Sequence, residues 1–209
     1  LKANIPSFIV TLGTSMAVRA LAYGITQGYP VYLRIERISP VYNILVKRIG
    51  PLHISIAWFV IIFIILYMML HHTPFGNSIY ASGGNEEKAR KIGVNVFRTK
   101  LMLFLLTAFL AGLAGIIEAC RFNRIASYEG MGYELDCIAG AVMGGVSLYG
   151  GVGGMLGILI GAFCLEIIDA GLVYAGVPGP TFPGFVGACL IGAFLVNKKF
   201  REQAIRWHG

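Results

Sequence analysis

The sequence is short of charge. Of 209 residues only 13% are Asp, Glu, Lys or Arg, while 56% are hydrophobic, and an ordinary soluble domain carries about 25% charged residues. The shortage is concentrated. No charged residue occurs in 49–85, 101–117, 137–165 or 170–197, stretches of 37, 17, 29 and 28 residues. A membrane-crossing helix needs about 20 apolar residues, and three of the four stretches exceed that length. A soluble globular enzyme is excluded. So is a disordered chain, which would lack the apolar residues needed to bury its surface.

Other absences narrow the function. No Lys lies between 101 and 197, so no glycine-rich loop there can be a GxxxxGK phosphate cradle. The cysteines, Cys120, Cys137, Cys164 and Cys189, show no CxxC spacing and read as small apolar packing residues. His71 and His72 are adjacent, do not share a helix face, and read as interface anchors; no metal site is expected. No Ser-His-Asp or Cys-His order is visible, and no carboxylate pair has an evident general-acid role, so no catalytic residue and no cofactor are expected. The net charge of +7 does not point to nucleic acid, because the basic residues sit at the ends of apolar runs and form no single stripe. No basic–apolar–cleavage pattern of a signal peptide opens the chain at Leu1.

What remains is an all-α, polytopic transmembrane helical bundle of about six membrane segments in one domain, 1–209. They are expected at 6–25, 53–70, 101–119, 137–148, 152–174 and 182–196. The fourth is short and glycine-rich, so it either crosses or is re-entrant. Half-crossing backbone survives at membrane depth only where protein or water satisfies its polar groups. Six crossings place ten basic residues on the side of the amino end, the 71–100 loop and the 197–209 tail. Six fall on the side of the 26–52 and 120–136 loops. Cytoplasmic loops are enriched in Lys and Arg, so the first side is read as cytoplasmic and the second as extracytoplasmic.

Two sets of residues within the apolar segments stand out. Gly153, Gly157 and Gly161 recur every four residues, which on one helix makes a smooth stripe for close helix packing. Arg19, Glu118, Glu166 and Asp169 lie at membrane depth or its edge. A charge at a helix centre costs about 2.5–3.5 kcal/mol on insertion scales, so a paired or functional role is expected. Structural pairing, lining of a translocation path and proton coupling all stay open. Glu166 and Asp169, three apart, are expected on one helix face.

The 71–100 loop carries its own order. Gly83-Gly84-Asn85 reads as a turn, with Asn85 capping a short helix whose first turn holds Glu86 and Glu87 and whose later residues are Lys88, Arg90 and Lys91. That charge order suits the helix dipole. Gly93 ends the helix. Ala89 and Ile92, three apart, are expected to offer a small apolar contact. From these residues alone the segment is either a solvated connector or a docking element.

The stretch LHHTPFGNSIYASGGNEEKARKIGVNV, then LAGLAGIIEACR, then GYELDCIAGAVMGGVSLYGGVGGMLGILIGA resembles the permease subunit of ribose-type ABC sugar importers. PSFIVTLGTSMAVRALAYGITQGYPV is similar to the same family's preceding span. The resemblance is collinear over nearly the whole chain and most specific at 74–96 and 132–162. Family permeases are longer at the amino end, and about their first third has no counterpart here. A family block matches Gly132, Tyr133, Glu134, Leu135, Asp136, Ile138 and Ala139, with Cys137 and Gly140 as departures. Where the family tends to carry Asn-Gly, this chain has Asp169-Ala170-Gly171, an acidic departure for a neutral-sugar path.

The resemblance implies a multi-pass permease of the inner (cytoplasmic) membrane that takes a monosaccharide from an extracytoplasmic sugar-binding protein. It pairs with a second permease copy in the lipid bilayer and is driven by a separate ATP-binding subunit. It also implies that the 73–98 loop is the coupling loop, through Gly83, Gly84, Asn85, Ala89, Arg90, Gly93 and Asn95. The rival is an ion-coupled secondary transporter using Glu118, Glu166 and Asp169. Such folds usually carry inverted repeats, and the two halves of this chain show no convincing internal similarity.

Overall fold

The computed structural model describes residues 7–33, 40–50 and 52–207. Four helices are long and apolar enough to cross a membrane: α1 (Ser7–Thr26), α3 (Ile54–His72), α6 (Val96–Phe122) and α8 (Met155–Tyr174), with a shorter apolar stretch, Phe182–Ala193, inside α9 (Phe182–Trp207). The remaining helices are α2 (Pro40–Leu45), α4 (Pro74–Gly84), α5 (Glu86–Lys91) and α7 (Tyr133–Met143). The chain is a polytopic helical membrane protein. Large apolar side chains such as Phe59, Ile65, Leu105, Phe109, Ile160 and Phe163 stand exposed along the long helices, and no described residue of α3 is buried. Water would not tolerate such surfaces; acyl chains do.

The chain divides into two compact units. In the first, residues 1–60 with 107–131, the only regular pairing among the described residues is in two-residue strands. β1 (Val31–Tyr32) lies antiparallel to β4 (Arg124–Ile125), and β2 (Arg48–Ile49) to β3 (Leu52–His53). Leu33 N–H donates to the Asn123 carbonyl at 2.9 Å, and the Thr26 and Ser127 hydroxyls stand 2.6 Å apart. The connector after α1 and the connector after α6 are therefore tied at one end of this unit. Trp58 Nε1–H donates to the Ile44 carbonyl at 2.9 Å and fixes α2 to α3.

The second unit, residues 61–106 with 132–209, contains the closest packing. Helix α7 has only 11 residues, about 16 Å at 1.5 Å per residue, and cannot span a bilayer core of about 30 Å alone. It runs antiparallel against α8. A methyl group placed on Gly144 would stand 2.2 Å from the Gly157 carbonyl oxygen, and one on Gly161 would stand 2.1 Å from that of Gly140. Ala139, Leu165 and Val186 form the buried cluster joining α7, α8 and α9, with Met143 and Leu190 against it.

The expected stripe needs correction at one member. Gly153 precedes α8, which begins at Met155, so it is not on the helix with Gly157 and Gly161. The seam continues the other way: Gly161 and Leu165 are buried, and the next residue at that spacing is Asp169. The fourth expected segment, 137–148, is realised as helix to Met143 and as connector beyond it.

If the seam depends on backbone approach, Gly144→Ala and Gly161→Ala will each lower the apparent Tm of the detergent-solubilised protein, at a cost of about 1–3 kcal/mol, as overpacking a close contact does. Gly171→Ala, with open space around the position, will leave it unchanged. Thermal scans followed by size-exclusion fluorescence read the difference.

Candidate functional site

The 73–98 segment is built from three helix starts in succession. Thr73 is held extended (φ −125°, ψ 155°) and Pro74 opens α4. Proline disfavours helical backbone in the residue before it and is well placed at a helix's first position, so α3 must break here. Gly76 makes the break tight, since a Cβ there would stand 1.9 Å from the Leu70 carbonyl oxygen.

Asn85 ends α4 and starts α5. Its N–H donates to the Ala81 carbonyl at 3.2 Å and its side-chain oxygen accepts the Lys88 N–H at 2.9 Å. Gly93, at φ +87°, closes α5, with Val94 N–H reaching the Ala89 carbonyl and Gly93 N–H the Arg90 carbonyl. This is the Schellman arrangement, which requires the left-handed residue that glycine supplies. Asn95 then repeats the part of Asn85: its side chain accepts the Arg98 N–H at 3.0 Å. Residue patterning assigned the cap at Asn85; at Asn95 the same signal, an Asn just before an apolar run, went unused.

Ala89 and Ile92 do not share a free face. Ala89 is 2% exposed and Ile92 74% exposed. The two positions, three apart on α5, face different surroundings: the smallest side chain of α5 is turned into the protein and Ile92 away from it. Ser82, Val96 and Thr99 are buried too. Among the residues the loop exposes are Ile92 and Phe97 beside a charged set that includes Arg90, with a shallow groove of about 380 Å³ lined by Arg90, Gly93, Val94, Asn95, Val96 and Phe97.

Charge braces this surface. Glu86 accepts from Lys100 Nζ and lies 3.8 Å from Arg90. The Lys100 hydrogen bond holds the Glu86 carboxyl below its ordinary range, against a weaker opposing effect of burial. Both side chains are well exposed, so the pair orients α5 against the start of α6 and adds little stability.

The intramembrane ionisable residues fall into different surroundings. Arg19 on α1 and Glu118 on α6 belong to the first unit and are half-buried; Glu166 and Asp169 on α8 belong to the second. Glu166 and Asp169 both lie on α8, three apart as expected, and differ in burial. Asp169 continues the Gly157–Gly161–Leu165 seam and is partly buried, its Oδ1 enclosed without a hydrogen-bond partner. Glu166 lies next to Leu165, turned about 100° around the helix, and is exposed. Asp136, in the first turn of α7, lies near enough to Asp169 for their charges to repel. Among the described residues no group of three His, Cys, Asp or Glu side chains could hold a metal ion.

The family described as "Branched-chain amino acid transport system / permease component" matches residues 1–194. This chain belongs to that permease family. It is 40% identical over 179 residues to the ribose import permease protein RbsC of Escherichia coli K12, covering 84% of this chain and 55% of the relative. To RbsC of Bacillus subtilis it is 35% identical over 201 residues, covering 95% and 61%. To the autoinducer 2 import system permease protein LsrC of Photorhabdus laumondii it is 33% identical over 207 residues, covering 97% and 61%. The chain thus spans about three fifths of the length of these relatives. No solved structure matches it. These relatives are named as import permeases, and the family does not favour the ion-coupled rival.

The Glu86–Lys100 contact gives a signed pH prediction. A carboxyl held low contributes its stabilisation above its unfolded-state pKa and loses it as pH falls through the folded value. Carboxyl carbon NMR of glutamate-labelled protein in nanodiscs will show Glu86 titrating below its ordinary value. Lys100→Met will move that midpoint upward while the Lys88 N–H stays bonded to Asn85.

Proposed function

We propose that this chain belongs to the membrane subunit of an ATP-driven importer for a simple sugar of the ribose type. It works by alternating access and does no covalent chemistry. The reading rests on one observation above others: α5 is capped at both ends, buries Ala89, and presents Ile92, Arg90 and Phe97 around a groove. A solvated connector has no need of three caps in twenty-five residues. A surface that must keep its shape while another protein pushes on it does.

The occupant of that surface is the ATP-binding subunit, on the cytoplasmic side that the Lys and Arg count selects. Ile92 and Phe97 are its apolar anchors, and Arg90 reaches an acidic group on the partner. The loops 26–52 and 120–136, tied by the β1–β4 pairing, face the extracytoplasmic sugar-binding protein. A second permease copy completes the path. Asp169 is the stronger of the acidic path residues, because its enclosed carboxylate oxygen lacks a partner among the described residues and gains a hydrogen bond from a sugar hydroxyl when the path opens to it. Arg19, Glu118 and Glu166 hold lesser parts. A switch of this kind needs contacts that differ between its two states, and the α5 surface is where nucleotide state is felt.

Ile92→Glu in the full-length permease puts a charge where an apolar anchor docks. A lost anchor costs about 2 kcal/mol or more, so affinity for the ATPase subunit falls about thirtyfold and co-purification is lost while the permease stays monodisperse. Ala89→Glu differs: it will disorder the loop itself. Retained co-purification in Ile92→Glu, or uptake into vesicles driven by a proton gradient without ATP, would overturn the reading.

A further inference from the structure

The docking surface lies at one end of α4, and so does a second feature that docking does not use. Gly83 and Gly84, the last residues of α4, meet Gly150 and Gly151 of the connector between α7 and α8, backbone against backbone. A Cβ on Gly150 would stand 2.4 Å from the Gly83 carbonyl oxygen, and one on Gly151 would stand 2.6 Å from the Gly84 Cα. A Cβ on Gly83 would stand 2.8 Å from the Gly151 nitrogen. Gly150 and Gly151 have φ of +82° and +73°, a conformation in which glycine alone is unstrained. One turn before Gly84, the Tyr80 hydroxyl donates to the Gly153 carbonyl at 2.8 Å.

The connector is stiff. Ser147 N–H donates to the Val152 carbonyl and Gly150 N–H to the Ser147 carbonyl, both at 3.0 Å, and Tyr149 N–H reaches the Ser147 hydroxyl at 3.2 Å. Four residues beyond Gly151, α8 begins, and its seam leads to Asp169. On the other side of the contact, α4 and α5 are separated by Asn85 alone.

We propose that this four-glycine contact, locked by Tyr80, is the joint through which displacement of the docking helix α5 is delivered to α8. Glycine is required for a mechanical reason. Side chains at a contact absorb movement by changing rotamer, whereas packed backbones pass it on, because close-packed interiors do not deform continuously. Tyr80, Gly83, Gly84, Gly150 and Gly151 are positioning residues: none is asked to touch the sugar or the nucleotide. The proposal rests on the reading of α5 as the ATPase-docking element and adds the route that leads inward from it.

Hydrogen–deuterium exchange on the full-length permease assembled with its ATPase tests the joint without needing the transported sugar. In the wild type, adding ATP and vanadate will change exchange in two segments, 86–95 and the start of α8. In Gly150→Ala the change at 86–95 will persist and the change in α8 will vanish. Tyr80→Phe keeps the ring and removes one hydrogen bond, so it guards against a misfolded glycine variant; its α8 response will be about fivefold weaker, the weight of one such bond. An α8 response of wild-type size in both variants, or none in the wild type, would overturn the joint. Absence of any protection at 86–95 by the ATPase would instead overturn the docking reading.

Discussion

The packing of this chain depends on backbones that touch. Within a bilayer the hydrophobic effect does not draw helices together, because acyl chains are as apolar as leucine; association rests on dispersion contacts and short-range polar contacts that require close approach. Gly140 and Gly144 on α7 against Gly157 and Gly161 on α8 supply that approach. The rest of the second unit follows from it. Helix α7, only 11 residues long, is held by its packing against α8, and α9 closes on the pair through Val186 and Leu190. The seam that begins at Gly157 ends at a carboxylate, so Asp169 is partly buried with one oxygen enclosed, while Glu166, one position from the seam, is exposed.

At the aqueous end a different constraint rules. A helix of six residues such as α5 cannot stand by its own hydrogen bonds, since nucleation costs more than so few bonds return. Its persistence must come from its ends and its one buried contact. Asn85, Gly93 and Asn95 satisfy the otherwise orphaned amides and carbonyls, and Ala89 is the one side chain of the helix that is buried. The Glu86 pairs with Lys100 and Arg90 trim orientation in a solvent that screens them.

Much of this was legible beforehand, and the failures have a common form. Charge-free runs located α3 and α6 and all of α8 but its two acidic residues, because bilayer thickness imposes a length that a sequence must show; α1, interrupted by Arg19, was read from its weaker apolar run. The cap at Asn85 and the stop at Gly93 were legible because they are local chemistry. What was misread required knowing which neighbour lies opposite. A period of four joined Gly153 to Gly157 and Gly161, yet the α8 helix starts two residues after Gly153, which instead offers its carbonyl to Tyr80. Ala89 and Ile92 have helical spacing but opposite exposure, since spacing gives an angle around an axis and not the side on which the protein lies.

The two glycine contacts differ in what they demand of the residue. At Gly157 and Gly161 the backbone is ordinary helix, and only space forbids a side chain; a slightly wider seam would accept alanine at some cost in packing. At Gly150 and Gly151 both space and a positive φ exclude other residues, and a loop in water has no packing reason to accept two such constraints together. A connector needed only to link α7 to α8 could have been any polar turn. One that must stay seated on the end of α4 while α5 is displaced cannot interpose flexible side chains. The doubly constrained glycines therefore mark the place in this fold where position is kept at the expense of sequence freedom, midway between the docking surface and the helix that carries Asp169.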